Sequence, residues 1–302
     1  MKAQLSPFVY KVKGKRNYLL FDSLREMIYS ITPEGSPEEL EAQLIANELV
    51  IQTNGIIPFK YKPNTENYKS SLILRELQLR ITEDCQFNCP DCGKIGKGIK
   101  TNGAINKDQV EIISRQIGNL IIESLVFIGG NPFIHLDVVE YVKAKINAAS
   151  YKILVCGSSE STQFEKEKEI LSKMGITFSE SVCHTGNIIE EGISTDGKNF
   201  FFNKELNPCW GNKLAIDSDG EIKPCMWSDI KLGNINCISI PNLILSGKFD
   251  EFWEINKDKI EICKDCEYRY LCSDCRVGAV KDSGSLYSKS IGCSYSPDMG
   301  TW

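Results

Sequence analysis

The sequence predicts an α/β fold: a partial parallel β/α barrel between a small N-terminal α+β module and a cysteine-rich C-terminal domain. Three observations support this prediction. Short apolar strands alternate with amphipathic helical segments from residue 72 onward, as in parallel sheets with crossover helices. The first 65 residues instead alternate apolar and polar side chains around turns. After about residue 200, glycine, cysteine and aromatic residues increase, so we expect domains at 1–65, 72–205 and 206–302.

Composition and charge restrict the class of protein. The chain has 302 residues, of which 42% are hydrophobic and 25% charged, as is usual for soluble globular proteins. A net charge of -5 supplies no excess of cations for phosphates, which argues against a nucleic-acid partner. No segment is apolar enough for a signal peptide or a membrane span. We therefore expect a cytoplasmic protein with no membrane partner.

The N-terminal module is predicted to contain three strands and a helix. The stretch FVYKVKGKRNYLLF is typical of a hairpin that turns at Gly14, and EMIYSI supplies a third strand. The helix begins in SPEELEAQLIANELV, where Ser36 and Glu39 form a capping box around Pro37. This order resembles the small winged-helix-like domains that recognise leader peptides. Such domains bind by adding a peptide strand to a sheet edge.

The predicted barrel contains four legible strand–helix repeats. Its strands are LQLRIT (77–82), SLVFIGG, KILVCG and ITFSES, and Asn106 is placed to cap the first helix. Helices are expected through LDVVEYVKAKI and from Ser161 to Gly175. Four repeats are fewer than the eight of a closed barrel, so an open, partial barrel is predicted.

Cysteine usage gives the strongest functional signal. Thirteen cysteines in a reducing compartment indicate metal or cluster ligation rather than a disulfide framework. Three of them, Cys85, Cys89 and Cys92, lie in ITEDCQFNCPDCGK directly after the first barrel strand. One loop can thus reach three irons of a cubane cluster and leave the fourth without a protein ligand. Parallel α/β folds bind ligands at this end of a strand, so the open iron can take a substrate or cofactor.

This loop resembles the CxxxCxxC motif of the radical SAM enzymes. The resemblance implies that the free iron of a [4Fe-4S] cluster chelates the amino and carboxylate groups of S-adenosylmethionine (SAM). Reduction then releases a 5′-deoxyadenosyl radical, which abstracts a hydrogen atom from the substrate. The aromatic residue often found before the third cysteine of the motif is Asp91 here. The alternatives are a zinc knuckle and an inert cluster.

A second motif lies where the resemblance requires it. VFIGGNP, after the second barrel strand, resembles the family's GGEP motif, which makes Gly129, Gly130, Asn131 and Pro132 the expected SAM-binding residues. Asn131 replaces an acidic residue, so it offers a hydrogen-bond acceptor without a charge. CGSSES after the third strand offers hydroxyl groups, Ser158 among them, to the SAM ribose.

The C-terminal cysteines resemble the SPASM domain, an auxiliary iron–sulfur module of radical SAM peptide and protein modifiers. The resemblance covers residues 209–302 and includes LAIDSDGEIKPC, LGNI and CKDCEYRYLCSDC. It implies two auxiliary [4Fe-4S] clusters: one held by Cys263, Cys266, Cys272 and Cys293, the other by Cys209, Cys225 and Cys275. The fourth ligand of the second cluster is either Cys237 or a substrate thiolate. Alternatively, Cys263, Cys266, Cys272 and Cys275 would form a tetrahedral zinc site.

The two resemblances together imply a maturase of a ribosomally synthesised peptide, like those encoded beside ATP-grasp ligases. Hydrogen-atom abstraction would lead to a thioether, carbon–carbon or carbon–oxygen crosslink between substrate residues, so no catalytic side chain is assigned. The expected partners are a precursor peptide whose leader binds the N-terminal module, an electron donor such as flavodoxin or ferredoxin, and an ATP-grasp ligase. The alternatives are a catalytically degenerate SPASM scaffold for such a ligase, a sulfatase-maturase-like protein oxidase and a zinc-binding adaptor.

The remaining candidate residues carry weaker signals. His135 is expected at a helix start, with a position near the cleft as the alternative. Cys156 is expected to be a small buried apolar residue. Cys183 and His184 lie near the end of the fourth strand, where contact with SAM or substrate is the functional alternative.

Overall fold

The computed structural model describes residues 2–33, 36–53, 72–85, 104–156, 165–181, 192–290 and 292–302. Its strands are β1 Lys2–Leu5, β2 Val9–Lys13, β3 Tyr18–Asp22, β4 Met27–Ile31, β5 Val50–Thr53, β6 Ile73–Leu74, β7 Glu76–Thr82, β8 Ile121–Ile122, β9 Ser124–Gly129, β10 Ser150–Cys156, β11 Thr177–Ser181, β12 Lys213–Ile216, β13 Glu221–Lys223 and β14 Gly233–Asn234. Its α-helices are α1 Pro37–Ala46, α2 Lys107–Ile117, α3 Leu136–Lys145, α4 Glu165–Lys173, α5 Gly197–Glu205, α6 Ile240–Leu245, α7 Asp250–Trp253 and α8 Arg276–Ser283.

The chain forms two compact units. The first contains residues 1–66, 189–209 and 254–302, and the second contains residues 67–188 and 210–253. These units do not follow the predicted boundaries at 65/72 and 205/206. Long-range contacts decide the division, since each unit is assembled from segments that are far apart in the sequence.

In the first unit, β2, β3 and β4 form an antiparallel sheet, and β1 pairs antiparallel with β5. The predicted hairpin, third strand and helix are therefore confirmed. α1 begins as predicted: the Ser36 side chain accepts from the Glu39 backbone nitrogen, and the Glu39 carboxylate accepts from the Ser36 nitrogen. These reciprocal bonds satisfy backbone donors that the first helical turn leaves unpaired. The structure does not confirm the winged-helix comparison.

The core of this unit joins the hairpin to later parts of the chain. Tyr10 and Phe21 on the hairpin pack against Phe200 and Phe201 of α5 and against Tyr270. The ring of Phe200 stacks on Phe21 with centroids 4.4 Å apart. Arg269 also donates to the carbonyl oxygen of Lys13 at 2.8 Å. The N-terminal hairpin is thus part of the same packed core as the cysteine-rich segment.

The second unit is built on a seven-stranded sheet in the order β11-β10-β9-β7-β12-β13-β14. β11, β10, β9, β7 and β12 are parallel, whereas β13 and β14 are antiparallel to their neighbours. The predicted strand–helix alternation is confirmed as a mixed α/β fold. The predicted SPASM hairpin, β12 and β13, extends this sheet because Lys213–Ile216 pairs with the first strand of the predicted barrel.

Two helices of this unit show how the sequence sets their bounds. Asn106 caps α2 as predicted, since its side chain accepts from the backbone nitrogen of Gln109. The apolar residues Val110, Ile113 and Ile117 of α2 are buried, as their helical spacing requires. α4 is described from Glu165, so the predicted start at Ser161 lies outside the described residues. Within the described part of the chain, no helix has the length and apolar character needed to cross a membrane.

Candidate functional site

The first candidate site lies where β7 and β9 end side by side. The two strands are parallel neighbours, with Thr82 paired to Gly129. Cys85, which is partly buried, follows the end of β7 by three residues, and the Gly129–Pro132 segment begins at the end of β9. The structure therefore places the start of the cysteine loop and the GGNP segment at the same edge of the sheet.

The glycines allow the two strand ends to approach each other closely. A Cβ atom on Gly129 would lie 2.6 Å from the Thr82 carbonyl oxygen, and one on Gly130 would lie 2.8 Å from the Cys85 Cβ and closer still to the Asp84 carbonyl oxygen. Two backbone hydrogen bonds hold this approach: Gly130 to Thr82 at 2.9 Å and Asn131 to Asp84 at 2.7 Å. Any larger residue at position 130 must displace backbone atoms beside Cys85.

Asn131 has a structural role that the sequence did not reveal. The residue is only 2% exposed, and its Oδ1 accepts from the backbone nitrogen of Phe133 at 3.1 Å. It thereby caps a short 3₁₀ helix, Pro132–His135, that leads into α3. One lone pair of the amide oxygen is thus already used within the turn.

A carboxylate–histidine pair lies beside the first cysteine. The Asp84 Oδ2 atom lies 3.1 Å from Nε2 of His135, and both side chains are partly buried. Among the described residues, the buried Oδ1 atom of Asp84 has no hydrogen-bond partner. His135 precedes α3, as predicted, but its ring makes no capping bond and instead meets Asp84. Sequence reasoning missed Asp84; its only signal was its position directly before Cys85.

Several predicted site residues lie outside the described residues. These are Cys89, Cys92, Ser158, Cys183 and His184. Cys156 is the last residue of β10, but the description does not extend to its side chain.

The second candidate site is a cavity in the first unit. Cys263, Cys266, Cys272 and Cys293 all line it. These are the four residues that the SPASM resemblance assigns to one auxiliary cluster. Cys275, which the zinc alternative requires in place of Cys293, is not on its wall. Among the described residues, no three Cys, His, Asp or Glu side chains are arranged to hold a single metal ion.

Local structure places these cysteines. Cys263 opens a 3₁₀ turn, Cys263–Asp265, and Cys266 ends it. Ile262, just before this turn, has a left-handed φ of 66°, which is uncommon for a β-branched residue. Cys272 lies opposite Ile193 in an isolated β-bridge, and Leu271 accepts a hydrogen bond from the Ser194 backbone nitrogen at 2.7 Å. These backbone contacts fix where the thiols project from an otherwise irregular segment.

Burial favours the thiol form of these residues in the absence of a metal. It raises the pKa of Cys266 to about 12. Burial also raises the pKa of Cys263, although the Lys257 ammonium acts in the opposite direction. Thiolates ligate metals, so assembly of a cluster here must release protons.

The charged residues on the cavity wall are all cations: Lys257, Arg269 and Lys289. Arg269 is also bound to Asp258, with Nε 2.7 Å from Oδ1, and Lys289 donates to the Tyr295 carbonyl oxygen at 2.7 Å. Four thiolates bring negative charge to an iron–sulfur cluster, and surrounding charges and hydrogen bonds set its properties. The donor set and the cationic wall therefore fit an anionic cluster.

The remaining C-terminal cysteines are divided between the two units. Cys209 and Cys275 belong to the first unit, where burial raises the pKa of Cys275 and the charge of Cys209 raises it further. The Cys275 sulfur also accepts from the Gly278 nitrogen at the start of α8. Cys225 belongs to the second unit and is buried after β13, whereas Cys237 is exposed.

Two protein families match the sequence over these sites. Residues 77–185 match a 4Fe-4S single cluster domain, and residues 209–267 match SPASM, an iron–sulfur cluster-binding domain. The first match covers the three-cysteine loop and the GGNP segment. The second covers Cys209, Cys225, Cys263 and Cys266. No protein of curated function matches the sequence.

Solved structures with low sequence identity are similar to the chain. SuiB of Streptococcus suis bound to the precursor peptide SuiA is 12% identical, covering 97% of this chain and 100% of that chain, with a TM-score of 0.47. The enzyme anSMEcpe with bound AdoMet is 16% identical over 72% of this chain and 90% of that chain, with a TM-score of 0.49. BtrN in an open conformation is 15% identical over 64% of this chain and 92% of that chain, with a TM-score of 0.40.

The family matches agree with the motifs on which the sequence resemblance rests. The cysteine loop and the GGNP segment lie in the matched 4Fe-4S domain, and the hairpin β12–β13 lies in the matched SPASM domain. The chain is an iron–sulfur enzyme of the radical SAM/SPASM type.

Proposed function

We propose that this enzyme modifies a ribosomally synthesised peptide by hydrogen-atom abstraction followed by crosslink formation. The observation that carries the proposal is the meeting of the Cys85 loop start with the Gly129–Pro132 segment at one sheet edge. Ligands of parallel α/β sheets bind at this edge. The crosslink is a thioether, a carbon–carbon or a carbon–oxygen bond, because the reacting groups belong to the peptide.

The chain's own residues hold and orient the cofactors at this edge. Cys85, Cys89 and Cys92 would hold the SAM-binding cluster. Once bound and reduced, this cluster and SAM supply the 5′-deoxyadenosyl radical that abstracts the hydrogen atom. Gly129 and Gly130 leave room for a ligand beside the backbone, because neither carries a Cβ.

Polar groups of the same turn would position the amino-acid part of SAM. Asn131 presents an amide whose oxygen already caps Phe133. Asp84, next to Cys85, supplies a carboxylate that is held on one side by His135. The buried Oδ1 atom of Asp84 is an acceptor for a cationic or hydrogen-bonding group at this site.

The C-terminal cysteines would hold two auxiliary clusters. The cavity lining supports Cys263, Cys266, Cys272 and Cys293 as the ligands of one. We assign Cys209, Cys225 and Cys275 to the other, with Cys237 or a substrate thiolate as the fourth ligand. A cluster near the substrate can accept the electron that remains after crosslink formation, so that the modification is a net oxidation.

The peptide substrate and the partners follow from the resemblance to SPASM maturases. The antiparallel sheet β2-β3-β4 has two edge strands, β2 and β4, to which an extended leader peptide can add. Flavodoxin or ferredoxin would supply electrons to the first cluster. A neighbouring ATP-grasp ligase would act on the same precursor peptide.

The proposal is tested with the precursor peptide encoded beside the gene. The reconstituted enzyme, SAM, a strong reductant and the peptide are combined without oxygen, and the peptide is analysed by mass spectrometry. Loss of two hydrogen atoms for each crosslink is expected, and fragmentation then locates the bond. A variant with Cys85, Cys89 and Cys92 replaced by alanine is the control. An unchanged peptide mass, despite SAM cleavage, would contradict the assignment of this substrate.

A catalytically degenerate scaffold is the second candidate. It is favoured by Asn131, which supplies no charge and whose oxygen already caps the turn. Such a scaffold would bind the precursor peptide and present it to a ligase without cleaving SAM. Peptide binding together with absence of 5′-deoxyadenosine, in protein with full iron content, would support it.

A further inference from the structure

A buried group of charged side chains lies behind the cysteine-lined cavity. Lys257, Asp274 and Arg276 are each at most 2% exposed. Oδ1 of Asp274 accepts from Nζ of Lys257 at 3.1 Å and also from Nη2 of Arg276. Its Oδ2 accepts from the Asn207 side chain at 2.9 Å. One buried carboxylate is thus shared by two buried cations.

The charge of this group does not balance. Arg276 also donates to the carbonyl oxygens of Leu286 and Ser288, both at 2.8 Å, but these neutral acceptors cancel no charge. The three side chains together carry one net positive charge in a region that excludes water. Removing such a charge from water costs several kcal/mol unless a negative partner compensates it.

Lys257 is the member of this group that reaches the cavity. It lines the wall together with the four cysteines. Glu267, another buried carboxylate beside the cysteines, accepts a hydrogen bond from Tyr295 instead. Arg269 and Lys289 also line the wall and add to its positive charge. A ligand that supplies negative charge at this cavity would compensate the buried excess.

We propose that Lys257 is the charge partner of the iron–sulfur cluster held by Cys263, Cys266, Cys272 and Cys293, and raises its reduction potential. The inference rests on the ligand set in the proposed function. Gain of one electron makes the cluster more negative by one charge, and no bond forms or breaks. A buried ammonium nearby stabilises the reduced form more than the oxidised form, so reduction becomes easier. Lys257 therefore acts through the cluster as a positioning and tuning residue.

Asp274 gives the inference a test of sign. Lys257→Met removes the positive charge and keeps most of the side-chain length, so the cluster's potential is expected to fall. Asp274→Asn removes the carboxylate that offsets the two cations, so the potential is expected to rise. A purely structural role for the group would not shift the potential in opposite directions.

The measurement uses the full-length chain, reconstituted without oxygen. Cys85, Cys89, Cys92 and Cys225 are replaced by alanine, so that only the cluster of the cavity remains. The cluster's potential is then measured by titration with dithionite, which supplies the electron, and is followed by electron paramagnetic resonance. Lys259→Met is the matched control, because Lys259 lies two residues away and is half exposed. This variant should titrate like the parent chain.

Four outcomes decide the inference. Opposite shifts for the two variants, with an unchanged control, support it, and an unchanged potential in a fully loaded Lys257→Met chain overturns it. If Lys257→Met loses iron, Lys257→Arg decides: retention of iron by the arginine variant supports a role for the charge, and equal loss overturns it. Absence of iron from the parent chain would instead contradict the proposed ligand set.

Discussion

The backbone nitrogen of Asn131 lies 2.7 Å from the carbonyl oxygen of Asp84, so the turn after β9 is hydrogen-bonded to the residue before Cys85. This bond connects the two motifs that define the enzyme's first site. The next four predictions, and the closing measurement, test how these motifs and the surrounding structure support function.

Gly130→Ala is expected to disrupt this turn. The added Cβ would meet backbone atoms of Asp84 and the Cβ of Cys85, which cannot move aside as a flexible side chain would. Overpacking of this kind costs about 1–3 kcal/mol, so we expect a lower free energy of unfolding and loss of SAM-dependent 5′-deoxyadenosine. Denaturant unfolding and chromatography measure the two effects.

Gly118→Ala is the matched control for that substitution. Gly118 ends α2 with right-handed helical φ and ψ, and its new Cβ would come no closer than 3.4 Å to the Ser114 carbonyl oxygen. Its activity should equal that of the wild type. Equal activity of the two variants would show that the close approach at Gly130 is not required.

Cys293→Ser is expected to lower the iron content and change the absorption spectrum. The reason is that Cys293 lines the same cavity as Cys263, Cys266 and Cys272. Metal analysis of the reconstituted protein checks this expectation, with Cys237→Ser as the control because Cys237 is exposed. A tetrahedral zinc site would instead require Cys275, so unchanged metal content in Cys293→Ser with loss in Cys275→Ser would favour zinc.

Asp217→Asn is expected to destabilise the sheet of the second unit. Asp217 is buried between Arg80 at 3.1 Å and Lys223 at 2.6 Å. Burial alone would raise the pKa of Asp217, but the two cations outweigh it and lower the pKa, so the carboxylate is charged at neutral pH. Loss of charged hydrogen bonds costs about 1.5–3 kcal/mol each.

Chemical denaturation at pH 7 measures this loss of stability. Asp219→Asn is the control, because Asp219 is exposed at the tip of the same hairpin, where asparagine also suits a turn. If both variants unfold at the same denaturant concentration, the buried ion pairs do not stabilise the sheet.

Phe200→Ala tests whether the N-terminal hairpin depends on the cysteine-rich segment. Phe200 is fully buried and contacts Phe21 and Tyr10 of the hairpin as well as Tyr270. Truncation of a buried phenylalanine costs about 3–5 kcal/mol. We expect faster proteolysis within residues 2–33 and lower iron retention, whereas Leu24→Ala, at an exposed turn, should change neither. Loss of the hairpin's protection alone, with full iron retention, would indicate that the N-terminal part folds separately.

The sequence predicted the local elements well because their determinants are local. Ser36 and Asn106 cap their helices through residues three positions away, and the hairpin β2–β3 follows from alternation around Gly14. The compact units could not be predicted in the same way. The pairing of β12 with β7 and the packing of Phe200 on Phe21 join segments far apart in the chain, and local periodicity carries no information about such contacts.

The same distinction applies to the candidate sites. Cysteine spacing was sufficient to group the four residues that line the cavity, because thiols rarely cluster in this way without a metal or cluster to bind. The Asp84–His135 contact and the buried group of Lys257, Asp274 and Arg276 were missed. Their members are common polar residues, and only the fold brings Asp84 to a histidine 51 positions away.

The most direct test of the central claim is an assay for 5′-deoxyadenosine. The reconstituted wild type and the variant with Cys85, Cys89 and Cys92 replaced by alanine are incubated anaerobically with SAM and dithionite. We predict product from the wild type and none from the variant, with the iron of the C-terminal clusters retained in both. No product from a fully iron-loaded wild type would contradict radical initiation at this loop.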